Sequence, residues 1–345
     1  HVDDHGYDIN TTKECYVDRR VSLSGDLNFW GVRNDKGNIH TETGADPIGM
    51  EIRAQAFAFS SNDEINNMTF YNYELINRGT QTLFDTYFGC FTDGALGDPL
   101  DDYVGCDVNR GLAYYYNGDN FDGDNAGWLG YGNNPPAVGV DFFEGPFQDD
   151  DGIDNDYGIG PDEALNGIGY GDGIIDNERF GMRRFLYYSN TTLGANPSQT
   201  DPTTALDYYR YLQGFWKDGT PFYYGGSGHI SDPTADPAVP CDFMFPGETD
   251  PLGWGTGGLP QAPWTEQTAN NPPNDRRFVQ SAGPFILKPG AVNNITVGVV
   301  WARANSGDPF ASVEVLTRAD DKAQALFENC FKVLDGPHAP DMSVQ

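Results

Sequence analysis

The chain has 345 residues, with 51 Asp and Glu against 20 Lys and Arg, for a formal net charge of −31. That balance argues against nucleic acid and anionic membrane surfaces as partners, since both are held through Lys and Arg, and no run of about 18 apolar residues is present to span a bilayer. Apolar residues reach only 38%, but 22 Phe, 19 Tyr and 6 Trp supply an aromatic core, while 43 Gly and 23 Pro place much of the chain in turns and loops.

In chain order, strands are expected over Val21–Trp30, Met50–Phe59, Met68–Asn77, Leu83–Phe91, Gly111–Tyr116, Gly181–Ser189, Phe278–Leu287 and Asn294–Ala302, with period-two alternation in the second, third, fourth and eighth of these. The turn residues Asn77-Arg78-Gly79 and Lys288-Pro289-Gly290 read as hairpin connections joining the third to the fourth and the seventh to the eighth of these. Helical spacing appears in Thr203–Trp216 and in Pro309–Leu334, where Leu316, Ala319, Ala323, Leu326, Phe327, Cys330, Phe331 and Leu334 share a face. Asp335-Gly336-Pro337 stops the second helix. Residues 92–180 read as an acidic loop insertion and 217–277 as a Gly-, Pro- and Trp-rich one. The expectation is a mainly β fold: a single antiparallel β-sandwich, jelly-roll or Ig-like, with long Ca²⁺-binding loop insertions and a C-terminal helix. The span from His1 to Gln345 reads as one domain of a longer, processed protein.

Carboxylates at this density repel one another unless cations neutralise them, although an acidic surface also serves simply to keep a protein soluble. Ca²⁺ takes six to eight oxygen ligands, which Asp and Asn recurring about every second residue can supply where Gly permits tight turns. The densest cluster holds Asp149, Asp151, Asp154, Asp156 and Asp162, followed by Asp172, Asp176 and Glu178; both halves contain D-G-I, as several Ca²⁺ loops do, but neither matches the EF-hand spacing. A second cluster holds Asp93, Asp98, Asp101, Asp102 and Asp107, a third Asp119, Asp122 and Asp124. Several Ca²⁺ ions are the expected cofactor.

The five Cys include no C-x-x-C pair. Cys90 and Cys106 flank an acidic loop and could close it as a disulfide, and Cys330 reads as helix-face core. No catalytic residues are assigned. His1, His5, His40, His229 and His338 lack a zinc spacing, and Ser227 in Gly225-Gly226-Ser227-Gly228-His229 does not match the nucleophile elbow because His229 replaces its last Gly. Trp128, Trp254 and Trp264 fall in irregular segments, where aromatic rings either stack on sugars and anchor protein partners or pin loops as small cores.

The stretches Asn67–Arg78, Asp101–Gly111, Asn134–Pro146, Gly253–Gly258, Asp275–Arg303 and Ala319–Pro337 resemble large secreted or cell-surface proteins of Bacteroidota, many exported by the type IX secretion system. The resemblance implies an extracellular or outer-surface location and carries no catalytic residues with it. Together these readings predict a calcium-stabilised surface module for adhesion or assembly, binding a glycan or protein partner. The alternatives are a glycan-active hydrolase or carbohydrate-binding module with its site in the long loops, and a self-assembling subunit of a surface filament.

Overall fold

The computed structural model describes residues 24–37, 39–125, 127–147, 179–190 and 196–332. Fourteen strands follow along these residues: β1 (Leu27–Asn34), β2 (Met50–Ala58), β3 (Met68–Asn77), β4 (Leu83–Asp93), β5 (Asp102–Asp107), β6 (Leu112–Asn117), β7 (Phe121–Asp122), β8 (Gly132–Asn133), β9 (Ala137–Glu144), β10 (Arg184–Ser189), β11 (Tyr223–Tyr224), β12 (Asp236–Pro240), β13 (Arg276–Leu287) and β14 (Val292–Ala302). Two α-helices accompany them, α1 (Ala205–Gln213) and α2 (Ala311–Glu328).

Seven strands form an antiparallel sheet in the order β1-β2-β3-β14-β9-β6-β5, and three form a second antiparallel sheet, β10-β13-β4. The core between the sheets joins Val104, Tyr115, Phe142, Ile295 and Val297 of the large sheet to Phe185, Tyr187, Phe278 and Phe285 of the small one. On its other face the large sheet buries Phe57, Phe70, Tyr114, Phe143 and Val300 under Val313, Leu316, Ala319, Ala323 and Phe327 of α2. Alternation along β14 produces both surfaces, because successive side chains point to opposite faces. Where α2 approaches, the strands carry Gly: a Cβ on Gly298 would lie 2.2 Å from the Phe143 ring. The mainly β, sandwich-like class with a C-terminal helix is therefore as the alternation predicts.

Two expected hairpins are instead crossings between sheets. β3 pairs with β2 and β14, whereas β4 pairs with β13; the chain after β13 crosses back to β14. The fully buried Asn77 ties the two crossings together. Its Nδ2 donates to Gln81 O at 2.8 Å and Leu287 O at 2.9 Å, its Oδ1 accepts from Gly79 N at 2.8 Å, and its backbone exchanges bonds with Gly290 and Ala291. Turn residues identify a reversal but not the strand to which the chain returns.

Within the stretch read as an acidic loop insertion over 92–180, the expected strand Gly111–Tyr116 is β6, but its neighbours in the large sheet, β5 and β9, lie outside the expected strands. β5 is buried along its whole length, and β9 is nearly so, so neither displays the alternation that marks a half-exposed strand. The stretch 217–277 is equally integral. Phe222, Phe243, Phe245 and Trp264 join the inter-sheet core, and Phe185 N and O bond Asp242 O and Met244 N. This segment also covers the outer edge of β5, where Val104 N donates to Glu266 Oε1 and Cys106 N to Phe245 O, removing an open sheet edge.

Candidate metal centre

The chain leaves β4 into residues 94–98, makes one 3₁₀ turn over Pro99–Asp101 and enters β5. Asp98 caps that turn: its Oδ1 accepts from Leu100 N at 3.1 Å, which its short side chain and the following Pro99 favour. The loop is docked onto the β7–β8 hairpin by Asp122. Asp122 Oδ1 accepts from Asp98 N at 3.0 Å and Oδ2 from Tyr131 N at 2.7 Å, while Asn125 Nδ2 donates to Asp98 Oδ2 at 2.7 Å. Gly97 permits the approach, since its φ is +78° and a Cβ there would lie 1.7 Å from Asp122 Oδ2.

Asp102 faces this junction from the start of β5, opposite Asn117 at the end of β6. Asp102 is fully buried; its Oδ2 accepts from Leu96 N at 3.0 Å, and its Oδ1 has no donor. Asp101 Oδ1 and Asn117 Oδ1 are likewise buried without a partner. Among the described residues, no ion pair to Lys or Arg is made by Asp98, Asp101, Asp102, Asp119 or Asp122. Burial, reinforced by Asp122 and Asp98, pushes the Asp101 carboxyl up to about 7, with the Asn117 side chain opposing. Burial likewise pushes Asp102 up to about 9; the Leu96 N–H opposes this, and Asp101, Asp122 and Asp98 add to it. In their ionised form these carboxylates are crowded and short of donors. Their orphan oxygens, two from carboxylates and one from an amide, are the hard donors that Ca²⁺ prefers. Among the described residues, however, no three Asp, Glu, His or Cys side chains stand in ready metal-ligand geometry.

The structure therefore merges part of the second cluster with the third and separates the rest. Asp119 Oδ1 accepts from Phe121 N at 2.8 Å beside the junction, while Asp124 Oδ1 accepts from Gly130 N at 2.9 Å farther along the hairpin turn. Asp93 lies outside the junction, 3.2 Å from Arg277, which also faces Asp201 and Asp275. Asp107 lies at the opposite end of β5 and pairs with Arg110 at 2.7 Å. Asp149, Asp151, Asp154, Asp156, Asp162, Asp172, Asp176 and Glu178 lie outside the described residues. Sequence spacing missed Gly97, Asn117 and Asn125; Asn117 is identified only by the β5–β6 register.

The expected Cys90–Cys106 disulfide is not formed: Cys90 lies in the small sheet, Cys106 in the large one, and both thiols are free. Cys330, read as plain core, is disulfide-bonded and lies just beyond α2. Of the three tryptophans, Trp128 is 53% exposed and bridges to Asn125 through its backbone, Trp254 packs half-buried against the core, and Trp264 is buried between Tyr224 and Phe245. The Trp264 ring is therefore a pin for its loop and is not presented at the surface.

His229 is buried, with Nε2 2.9 Å from Asp218 Oδ2 and Nδ1 2.8 Å from Ser231 Oγ. Nδ1 also faces Ser231 N at 3.1 Å and Asn196 Nδ2 at 3.0 Å. One lone pair divided among three donors staples these loops and leaves the Ser231 hydroxyl without a dedicated base. Among the described residues, no helix is long and apolar enough to cross a membrane. No protein-family model matches the chain, and no curated protein matches it.

Proposed function

We propose that the chain is a calcium-stabilised, extracellular binding module in which Ca²⁺ fixes the junction of the 94–101 loop with the β7–β8 hairpin. The observation carrying this reading is the set of orphan oxygens on Asp101, Asp102 and Asn117, buried among Asp98, Asp119 and Asp122 without an ion-pairing cation. A divalent cation would relieve the repulsion and occupy oxygens that no protein donor satisfies. Asp101, Asp102 and Asn117 are the residues that would hold it, with turn carbonyls and water completing the shell.

The same hairpin exposes Phe121, Trp128, Leu129 and Tyr131, an apolar surface for a glycan or protein partner. Ordering of the hairpin by an ion would couple calcium to partner binding. A disulfide at Cys330 accords with an oxidising, extracellular compartment.

Melting of the whole chain in EDTA and in CaCl₂ tests the reading. Calcium at about 100 times its dissociation constant adds about 2.7 kcal/mol to stability. Titration calorimetry on Asp101→Asn and Asp102→Asn separates this junction from the clusters at 149–178: each variant should lose one binding event. Equal melting in chelator and calcium, or unchanged stoichiometry in both variants, refutes the proposal.

A further inference from the structure

A second group of carboxylates lies on the far face of the large sheet, beneath α2. Asp107 on β5 stands opposite Leu112 on β6, Leu112 opposite Asp141 on β9, and Asp141 opposite Gly298 on β14. Cross-strand partners share a face, so Asp107 and Asp141 lie on the same side as Leu112, which belongs to the α2 core. α2 closes this row with Asp320, set between Leu316, Ala319 and Ala323. Asp107, Asp141 and Asp320 are 2%, 1% and 1% exposed, which makes the group a sealed one.

One cation serves it. Arg110 donates from Nη1 to Asp107 Oδ2 at 2.7 Å, from Nε to Asp321 Oδ1 at 2.8 Å and from Nη2 to Asp321 Oδ2 at 3.2 Å; its backbone N donates to Asp107 Oδ1 at 3.2 Å. Three of the guanidinium's N–H groups are thereby engaged by Asp107 and Asp321. Asp141 Oδ1 and Asp320 Oδ1 have no donor. Leu112, Gly298, Leu316 and Ala319 add no side-chain oxygen with which to complete a metal shell. The remaining titratable group nearby is the buried phenol of Tyr114, which Asp107 helps to keep protonated.

We propose that at least one of Asp141 and Asp320 is protonated in the folded protein at neutral pH, and that this proton is required for α2 to seat fully on the large sheet. Two ionised carboxylates in a closed apolar interface, where the one guanidinium serving the group among the described residues is hydrogen-bonded to Asp107 and Asp321, are unfavourable, and a proton is the smallest species that relieves them. The electrostatics agree. Burial, then Asp320 and Asp107, hold Asp141 well above the carboxyl range, while burial and Asp321 push Asp320 up to about 8 against the pull of Arg110. A raised folded-state value means that the folded form holds the proton more tightly. The resulting stabilisation is complete below the ordinary value of 3.8 and is lost as pH rises to about 8.

The test compares unfolding equilibria of the whole calcium-loaded protein and its Asp141→Asn/Asp320→Asn double variant between pH 5 and 9. One proton released on unfolding corresponds to a decrease of up to about tenfold in the folding constant per pH unit. The wild type should show this fall relative to the variant, which carries neutral amides at both positions at every pH. Infrared spectroscopy of the wild type, also loaded with calcium so that Asp101 and Asp102 are ionised, should show the C=O stretch of a protonated carboxylic acid at neutral pH. That second measurement stands even if the variant does not fold. Identical pH dependence in the two proteins, absence of the infrared band, or abolition of the pH-dependent loss by added divalent cation would overturn the proposal.

Discussion

Neutralising Glu266 should be among the most damaging single changes in the molecule. Its carboxylate is fully buried, receives Arg276 Nε at 3.1 and 3.2 Å and Nη2 at 2.7 Å, and accepts from Val104 N at 2.9 Å. Arg276 is 4% exposed; it also donates to Ser189 Oγ and Pro272 O, both at 2.7 Å, and lies over the Tyr187 ring. The pair thus clamps the 241–275 segment to the β5 edge and to the start of β13. Glu266→Gln preserves shape and the Val104 bond but leaves a guanidinium buried without its counter-charge, which should cost about 3–5 kcal/mol. Arg276→Met strands the carboxylate and should cost a similar amount. The double variant removes both charges, so it should cost about 2–3 kcal/mol less than the sum. Urea unfolding with an unchanged denaturant slope measures all three. Additivity within about 0.5 kcal/mol would refute the reasoning, because it would mean that neither charge depends on the other.

Gly97→Ala forces a Cβ into the Asp122 carboxylate at a left-handed position, so it should both lower stability and diminish the calcium-dependent shift in melting. A full shift in that variant would separate the ion from this junction. Asn77→Ala deprives two crossover carbonyls and one amide of their partners and should cost about 1–3 kcal/mol in the same unfolding assay, whereas a loss within 0.5 kcal/mol would mean that water replaces the side chain. Trp128→Ala should leave folding intact, since the ring is 53% exposed, and should weaken capture of a glycan or protein partner on an array. Arg179→Leu should destabilise by about 3–5 kcal/mol, because it leaves Glu144 buried 3.0 Å from a vanished charge; thermal melting close to wild type would count against that role.

How far the sequence reached depends on burial. β2, β3, β4 and β14 were legible because each has alternating positions, and β3 begins and ends where the alternation does. The second helix was legible from its 3.6-residue repeat, although it stops at Glu328. β5 and β9 were hidden because burial on both faces erases alternation. The acidic composition directed attention to the 94–124 region. Spacing alone could not divide its aspartates, because Asp102 and Asp107 on one six-residue strand serve opposite ends and opposite faces of a sheet.

The sequence by itself determined the mainly β class, the terminal helix and the clusters of carboxylates, since all three follow from local periodicity and composition. Tertiary structure alone decided which strands pair, because a turn specifies only that the chain reverses. It also decided which carboxylates meet a guanidinium and which are left with bare oxygens. Those outcomes rest on registers and on contacts between residues as distant as Arg110 and Asp321, which no local pattern encodes.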